Sequence, residues 1–239
     1  MIEFTMLGTS ALAPLPERGL TAAALTCDGH TLLFDCGEGT QTAARKYGIS
    51  LLKIDIIALT HYHGDHIFGL PGILQSMFVF GRRTEPLFII GPRGLKENLS
   101  PVLTLAGELT YEIKLIELSS GSVQLCSLVK GWPDGARLSA FPTLHRVPSC
   151  GYCFNLDRAG KFIPQNAEEL NVPVKLWSQL QKGNPVEVDG KTVFPCQVME
   201  EKRKGLKVVF SGDTTACDSL AVAAENADIT ASEHTGFRR

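Results

Sequence analysis

The chain has 239 residues, and none of its apolar runs approaches the roughly 20 residues needed to cross a membrane. Its opening, Met1-Ile2-Glu3-Phe4-Thr5, lacks the basic flank and apolar stretch of a secretory leader. It has no large excess of either charge: 23 basic and 25 acidic side chains give a net charge of −2. That balance excludes a broadly basic nucleic-acid coat protein and leaves room for a local basic patch. There is no compact cysteine framework. The seven cysteines, an odd number, are Cys27, Cys36, Cys126, Cys150, Cys153, Cys196 and Cys217. Most stand inside apolar runs, as free buried thiols do, and no set of four could hold a structural zinc. The expectation is a protein of a reducing cytoplasm with no membrane segment. A chain of this length, 44% hydrophobic, buries a sizeable core without staples.

What is present is a run of short strands with helices between them. Glu3 to Leu7 is strand-like. Ala22–Cys27 and Thr31–Asp35 flank Asp28-Gly29, a hairpin signal, and His30 beside that turn reads as exposed. Gly39 to Tyr47 reads as a short helix. Ile54 to Thr60 is a continuous apolar run, typical of a strand buried on both faces. The pattern predicts a helix over about 67–80, with Pro71 in its first turn or at a break. It also predicts a strand at 87–90, a helix to about 105, and strands at about 111–118, 122–130, 136–144 and 151–156. A last clear strand, 207–210, ends at Ser211-Gly212-Asp213. A helix over 216–226 and a strand from 229 follow. The fold class is α/β, a sheet assembly covered by helices. In Cys150-Gly151-Tyr152-Cys153 the two thiols lie on opposite strand faces and read as buried.

Between 158 and 205 apolar periodicity weakens. Residues 158–207 hold nine basic and six acidic side chains, or +3, against −2 for 1–157 and −3 for 208–239. The segment reads as a solvated insertion or as an arm that meets an anionic partner, with Lys175, Lys182 and Lys202-Arg203-Lys204 among its cations.

The sharpest signal is Thr60-His61-Tyr62-His63-Gly64-Asp65-His66, which holds three of the six histidines directly after a buried strand. In extended backbone, residues i and i+2 point the same way, so His61 and His63 can face one cation. After a turn at Gly64, Asp65 and His66 can address a second. Imidazole and carboxylate donors suit zinc, and manganese or iron as well. His145, after Leu138–Leu144, and Asp213, after Phe210-Ser211-Gly212, end strands of their own and can complete such a site. Asp35 ends another strand and reads either as a carboxylate orienting a ligand histidine or as a turn former before Gly37.

His61-Tyr62-His63-Gly64-Asp65-His66 resembles the His-x-His-x-Asp-His signature of metallo-β-lactamase fold hydrolases. Further stretches resemble the ribonuclease Z family of tRNA 3′-processing endonucleases within that superfamily. They are Leu7-Gly8-Thr9-Ser10 with Pro16-Glu17-Arg18, Phe34 to Gln41, Asp65 to Gly72, Pro86-Leu87 with Ile90 to Leu95, His145 to Tyr152, and Ser211-Gly212-Asp213-Thr214. The resemblance implies a four-layer αβ/βα sandwich in one domain over 1–239, a homodimer, and a 158–205 insertion that grips precursor tRNA as a flexible arm. It implies two zinc ions, with His61, His63 and His145 on one, Asp65 and His66 on the other, and Asp213 bridging. Asp65 would also hold or deprotonate the attacking water. Arg18, Lys175 and Lys182 would meet substrate. The arm's tip departs from the family's Gly-Pro-rich pattern, reading Val172-Pro173-Val174-Lys175-Leu176-Trp177. The family's text also runs on past Arg239. Glu233 and Thr235 fit its next strand, while His234 stands where alanine is expected and reads as a surface residue. The family's proton-donor histidine and last zinc ligand have no counterpart, so the expectation is a complete first site, an incomplete second one, and weak or absent hydrolysis. Rival expectations are another hydrolase of the superfamily, or a non-catalytic tRNA-binding subunit.

Overall fold

The computed structural model describes residues 1–201 and 203–234. The chain divides into two compact units, one of residues 1–155 and 207–239, the other of residues 156–206.

The first unit opens with β1 (Ile2–Gly8), β2 (Ala22–Cys27) and β3 (His30–Phe34), antiparallel neighbours. Asp28 and Gly29, with φ of 48° and 89°, make the tight turn that their sequence signals. Helix α1 (Thr40–Lys46) leads to β4 (Ile54–Ala58), which pairs parallel with β3. Next come α2 (Gly64–Ile67), α3 (Leu70–Val79), β5 (Leu87–Gly91), α4 (Leu95–Ala106) and β6 (Ile113–Glu117), and the parallel pairing continues through β5 and β6. The first sheet therefore runs β1-β2-β3-β4-β5-β6. After it come β7 (Gly121–Gln124), α5 (Leu125–Leu128), β8 (Ala136–Pro142) and β9 (Cys150–Arg158). Past the second unit, β12 (Arg203–Thr214), α8 (Asp218–Ala224) and β13 (Ile229–His234) complete a second sheet in the order β13-β12-β9-β8-β7.

Side-chain alternation assigns the layers. Ala22, Ala24, Leu33, Ile57, Leu87 and Ile89 face a core shared with Ile73, Leu74 and Met77 of α3 and Leu95 and Leu99 of α4. On the opposite face, Phe34 stacks on Phe210 of the second sheet at 5.2 Å and lies 6.4 Å from Tyr152. The Tyr152 hydroxyl donates to Leu59 O across the same layer at 2.8 Å. Helix α8 packs on β8, with Ser219 Oγ donating to Pro142 O at 2.6 Å. The order is helix, sheet, sheet, helix.

Several sequence expectations are corrected. The 67–80 helix is two helices broken at Phe68-Gly69, with Pro71 in the first turn of the second, where its missing N–H costs nothing. The 122–130 strand stops at Gln124 and continues as α5. The last strand does not end at Ser211. It runs to Thr214 through a register shift between Phe210 and Asp213. His30 is not exposed. Its Nδ1 lies 2.6 Å from Asp55 Oδ2, and Trp132 packs on its ring at 5.6 Å because the 130–132 loop folds over the hairpin. All seven cysteines are free, with Cys150 and Cys153 buried.

The second unit holds α6 (Pro164–Glu169), α7 (Val174–Gln181) and a hairpin of β10 (Val186–Val188) and β11 (Lys191–Val193). The weak periodicity conceals a small core of Ala167, Val172, Leu180, Val186, Val193 and Val198. Phe162 packs on Trp177 at 5.1 Å, and the Trp177 indole donates to Val172 O. Over 156–206 there are eight basic and seven acidic residues, or +1, because Asp157 enters and Lys207 leaves. The +3 read for 158–207 depends on where that segment is cut. Lys202 and Thr235 lie outside the described residues, as does the side chain of His234.

Candidate metal centre

Four chain segments converge at the ends of strands. The run after β4 delivers Thr60, His61 and His63, and α2 delivers Asp65 and His66. Leu144 bridges Thr215, and its N–H donates to Thr214 Oγ1 at 3.1 Å, which fastens His145 beside Asp213. Asp35 follows β3 with φ of 53°, a left-handed conformation that aspartate tolerates better than most residues.

Among the described residues, two overlapping donor sets result. His61, His63 and His145 form one, and His61, His66 and Asp213 form the other. In the first, His61 Nε2 lies 3.0 Å from His63 Nδ1, and His145 Nε2 lies 3.2 Å from that same nitrogen. Zinc–nitrogen bonds of about 2.0–2.1 Å give tetrahedral edges of about 3.3–3.4 Å, so this spacing fits one cation. In the second, His66 Nε2 and Asp213 Oδ1 are 3.3 Å apart. Both atoms are buried without a hydrogen-bond partner. Groups so placed are under-satisfied unless a cation or proton joins them. The donor chemistry fits zinc-type cations at both sets.

Electrostatics point the same way. Burial, followed by the neighbouring imidazoles, pushes the His61 pKa down to about 2, so its nitrogen stays free to ligate. Burial opposes charge on His66 as well. There the Asp35 carboxylate, its hydrogen bond and the Asp213 carboxylate 3.3 Å away prevail, and its pKa is pushed up to about 11. Burial resists ionisation of Asp213, but the close His66 imidazole and the other histidines hold the carboxyl below the usual range. Without metal, a proton on His66 supplies the positive charge this pocket is built around.

Asp35 accepts from Thr60 N–H at 2.7 Å and from Thr60 Oγ1 at 2.8 Å, and lies 2.8 Å from His66 Nδ1. Asp65 stands beside the donor sets rather than in either. Its Oδ2 accepts the Leu12 amide at 3.0 Å and lies 3.9 Å from His66 Nε2. A cleft of about 700 Å³ opens over the centre, lined by His63, Asp65, His145 and Asp213, with Leu12, Phe68 and Arg146 exposed at its rim. Arg18 lies elsewhere, in a recess of about 310 Å³ with Lys46 and Tyr47 that shares Pro14 and Glu38 with the cleft. Lys175 and Lys182 belong to the second unit, Lys175 exposed on α7 and Lys182 lining a recess of about 500 Å³ there. Sequence reasoning gave no role to Thr60, Leu12, Phe68 or Arg146. Thr60 had a signal, its place at the strand end directly before His61. Leu12 had none, since a backbone amide carries no residue signature.

Strand-end histidines over a two-sheet sandwich define a hydrolase-type centre of the metallo-β-lactamase fold. The metallo-β-lactamase fold protein YhfI of Bacillus subtilis matches this fold, with a TM-score of 0.60 at 18% identity, covering 96% of this chain and 69% of that one. The chain belongs to the ribonuclease Z family. It is 42% identical to the ribonuclease Z of Agathobacter rectalis over 229 residues, covering 96% of this chain and 73% of the relative. It is 38% identical to that of Methanothermobacter thermautotrophicus over 237 residues, covering 98% and 75%. Human tRNase Z, short form, superimposes with a TM-score of 0.61 at 26% identity, covering 96% of this chain and 76% of the human one. Residues 2–154 also match the family model described as Anti-Pycsar protein Apyc1.

Proposed function

We propose that the chain is a zinc-dependent endoribonuclease that removes the 3′ trailer from precursor tRNA. The observation that carries this reading is a pair of adjoining cation-type donor sets beneath an open cleft that His63, His145 and Asp213 line, in a chain of the ribonuclease Z family. His61, His63 and His145 would hold one cation, and His66 and Asp213, with Asp65 close by, a second. Bound zinc supplies a water of lowered pKa and neutralises charge on a phosphodiester.

The chain's own groups do the rest. Asp65, oriented by the Leu12 amide, holds the attacking water and accepts its proton. Arg146, exposed at the rim, meets phosphate oxygens, and Phe68 and Leu12 offer apolar surface to a base. The water-derived nucleophile removes any need for a neighbouring 2′-hydroxyl, and family membership puts the cut after the discriminator base. Lys175 and Lys182 suit the second unit to holding the tRNA body, and Arg18 suits its recess to a nearby phosphate. A homodimer in the cytoplasm belongs to the same reading, and the exposed Val79 and Phe80 beside Arg45 give a second copy apolar surface to cover.

The test is cleavage of a 3′-extended precursor tRNA by the zinc-loaded chain. The expected result is one product of mature length that disappears in His63→Ala. Tight tRNA binding without turnover at saturating zinc would overturn the reading. A second reading drops the RNA and keeps the chemistry. Residues 2–154, which contain His61 to His145 and none of the 156–206 unit, match a family model by themselves. It predicts that bis(p-nitrophenyl) phosphate is hydrolysed and precursor tRNA is not.

A further inference from the structure

Thr60 has no place among the donors, yet it is fully buried where they meet. Every polar group it has is spoken for. Its N–H donates to Asp35 Oδ1 at 2.7 Å, its carbonyl accepts the Cys150 N–H at 2.9 Å, and its hydroxyl donates to Asp35 Oδ2 at 2.8 Å. The same hydroxyl oxygen lies 3.1 Å from His61 Nδ1. Because the Thr60 proton is committed to the carboxylate, this oxygen faces His61 as an acceptor. Nδ1 of His61 must then carry the ring proton, which leaves Nε2 as a lone pair. Nε2 is the atom aimed at His63 and the first donor set. Asp35 also accepts from His66 Nδ1 at 2.8 Å, so Nε2 is the atom His66 turns toward Asp213 and the one whose proton a cation displaces.

We infer that Thr60 is a positioning residue: with Asp35 it forms a fork that sets the tautomers of His61 and His66 together, so that one buried carboxylate controls both cation sites. The inference rests on the metal-binding reading above. Asp35 reaches His66 directly and reaches His61 only through the Thr60 hydroxyl. His61 supplies Nε2 to the first donor set, and the Thr60 hydroxyl shares Asp35 Oδ2 with His66 of the second, so losing that hydroxyl weakens the first cation directly and the second through Asp35. The arrangement is closed from the far side as well. Gly212, at φ 58°, passes so close that a Cβ there would overlap the Thr60 side chain. The backbone that delivers Asp213 is thus set against Thr60. A non-polar residue of the same shape would keep this packing and lose only the proton ordering.

The experiment is cobalt titration of the full chain in three forms: wild type, Thr60→Val and Thr60→Ser, each followed by visible absorption. Outer hydrogen bonds to ligand histidines typically change metal affinity 10–100-fold. Thr60→Val is expected to weaken both cobalt ions by about that factor and to shift the ligand-field bands. Thr60→Ser is expected to restore affinity and spectrum. A Thr60→Val protein that binds like wild type, or a Thr60→Ser protein impaired as badly as Thr60→Val, would overturn the inference. A second measurement needs neither variant nor metal. Nitrogen-15 spectra of imidazoles in the wild-type apoprotein should show His61 as the Nδ1–H form, and an Nε2–H form at His61 sinks the proposal. Correct tautomers with no cobalt uptake would instead sink the metal reading and leave the fork standing.

Discussion

At the aspartate of the histidine run, Asp65, ligation and proton transfer can be told apart. Its carboxylate is held by the Leu12 amide outside both donor sets, so Asp65→Asn should keep its zinc while precursor cleavage slows about 10²–10⁴-fold. Loss of metal in that variant, by elemental analysis, would return Asp65 to the ligands. His66 gives a second test. Its pKa stands at about 11 in the folded, metal-free protein, so it is protonated at pH 7 and a cation must displace that proton. Calorimetry in buffers of different ionisation enthalpy should find about one proton released per chain, with affinity rising about tenfold per pH unit from 7 to 9. Zero release would contradict the protonated His66. At this scale the histidines were legible because strand-end spacing turns sequence intervals into directions. His30 was not, since its partners Asp55 and Trp132 arrive from distant segments.

The strand that carries Asp213 shows how an element holds a site. Sequence placed a turn at Ser211-Gly212-Asp213. Instead the strand continues through an irregularity, Gly212 adopts φ 58°, and its bare Cα lets β12 close on Thr60. Gly212→Ala should therefore cost about 1–3 kcal/mol from the conformation alone, and it should lower metal content as Asp213 is pushed away. Leu74→Ala is the control. Leu74 is buried among Ile73, Met77 and Leu99, so the change should cost about 2–5 kcal/mol and leave zinc per chain unchanged. Denaturant melts with paired metal analysis check both. Most elements were legible from periodicity and from glycine or proline punctuation. The 122–130 strand was misread because apolar residues there suit a short helix equally well, and the elements within 158–205 were not legible because a six-residue core leaves little pattern.

The whole molecule joins a nearly neutral body to a second unit whose net charge is only +1. Any hold it has on RNA under the proposed function must come from where its cations are set rather than from their sum. Its stability without metal should peak near pH 6.5. His66 rises from 6.5 to about 11 on folding, so its contribution is complete below 6.5 and is lost as pH climbs toward 11. His61 falls from 6.5 to about 2, so the unfolded chain takes up a proton that the folded one refuses, and stability falls as pH drops below 6.5. Asp213, lowered from 3.8, steepens the acid side. Thermal melts of the chelated protein from pH 4 to 10 should trace this maximum, and a Tm still rising above pH 8 would refute it. The central claim is that the chain holds two adjoining cation sites, with His61 a ligand of the first. Its most direct test is zinc per chain after equilibrium dialysis, in wild type and in His61→Ala. The expected result is two zinc ions per chain in the first and at most one in the second. Two ions retained by His61→Ala, or none bound by wild type, would contradict it.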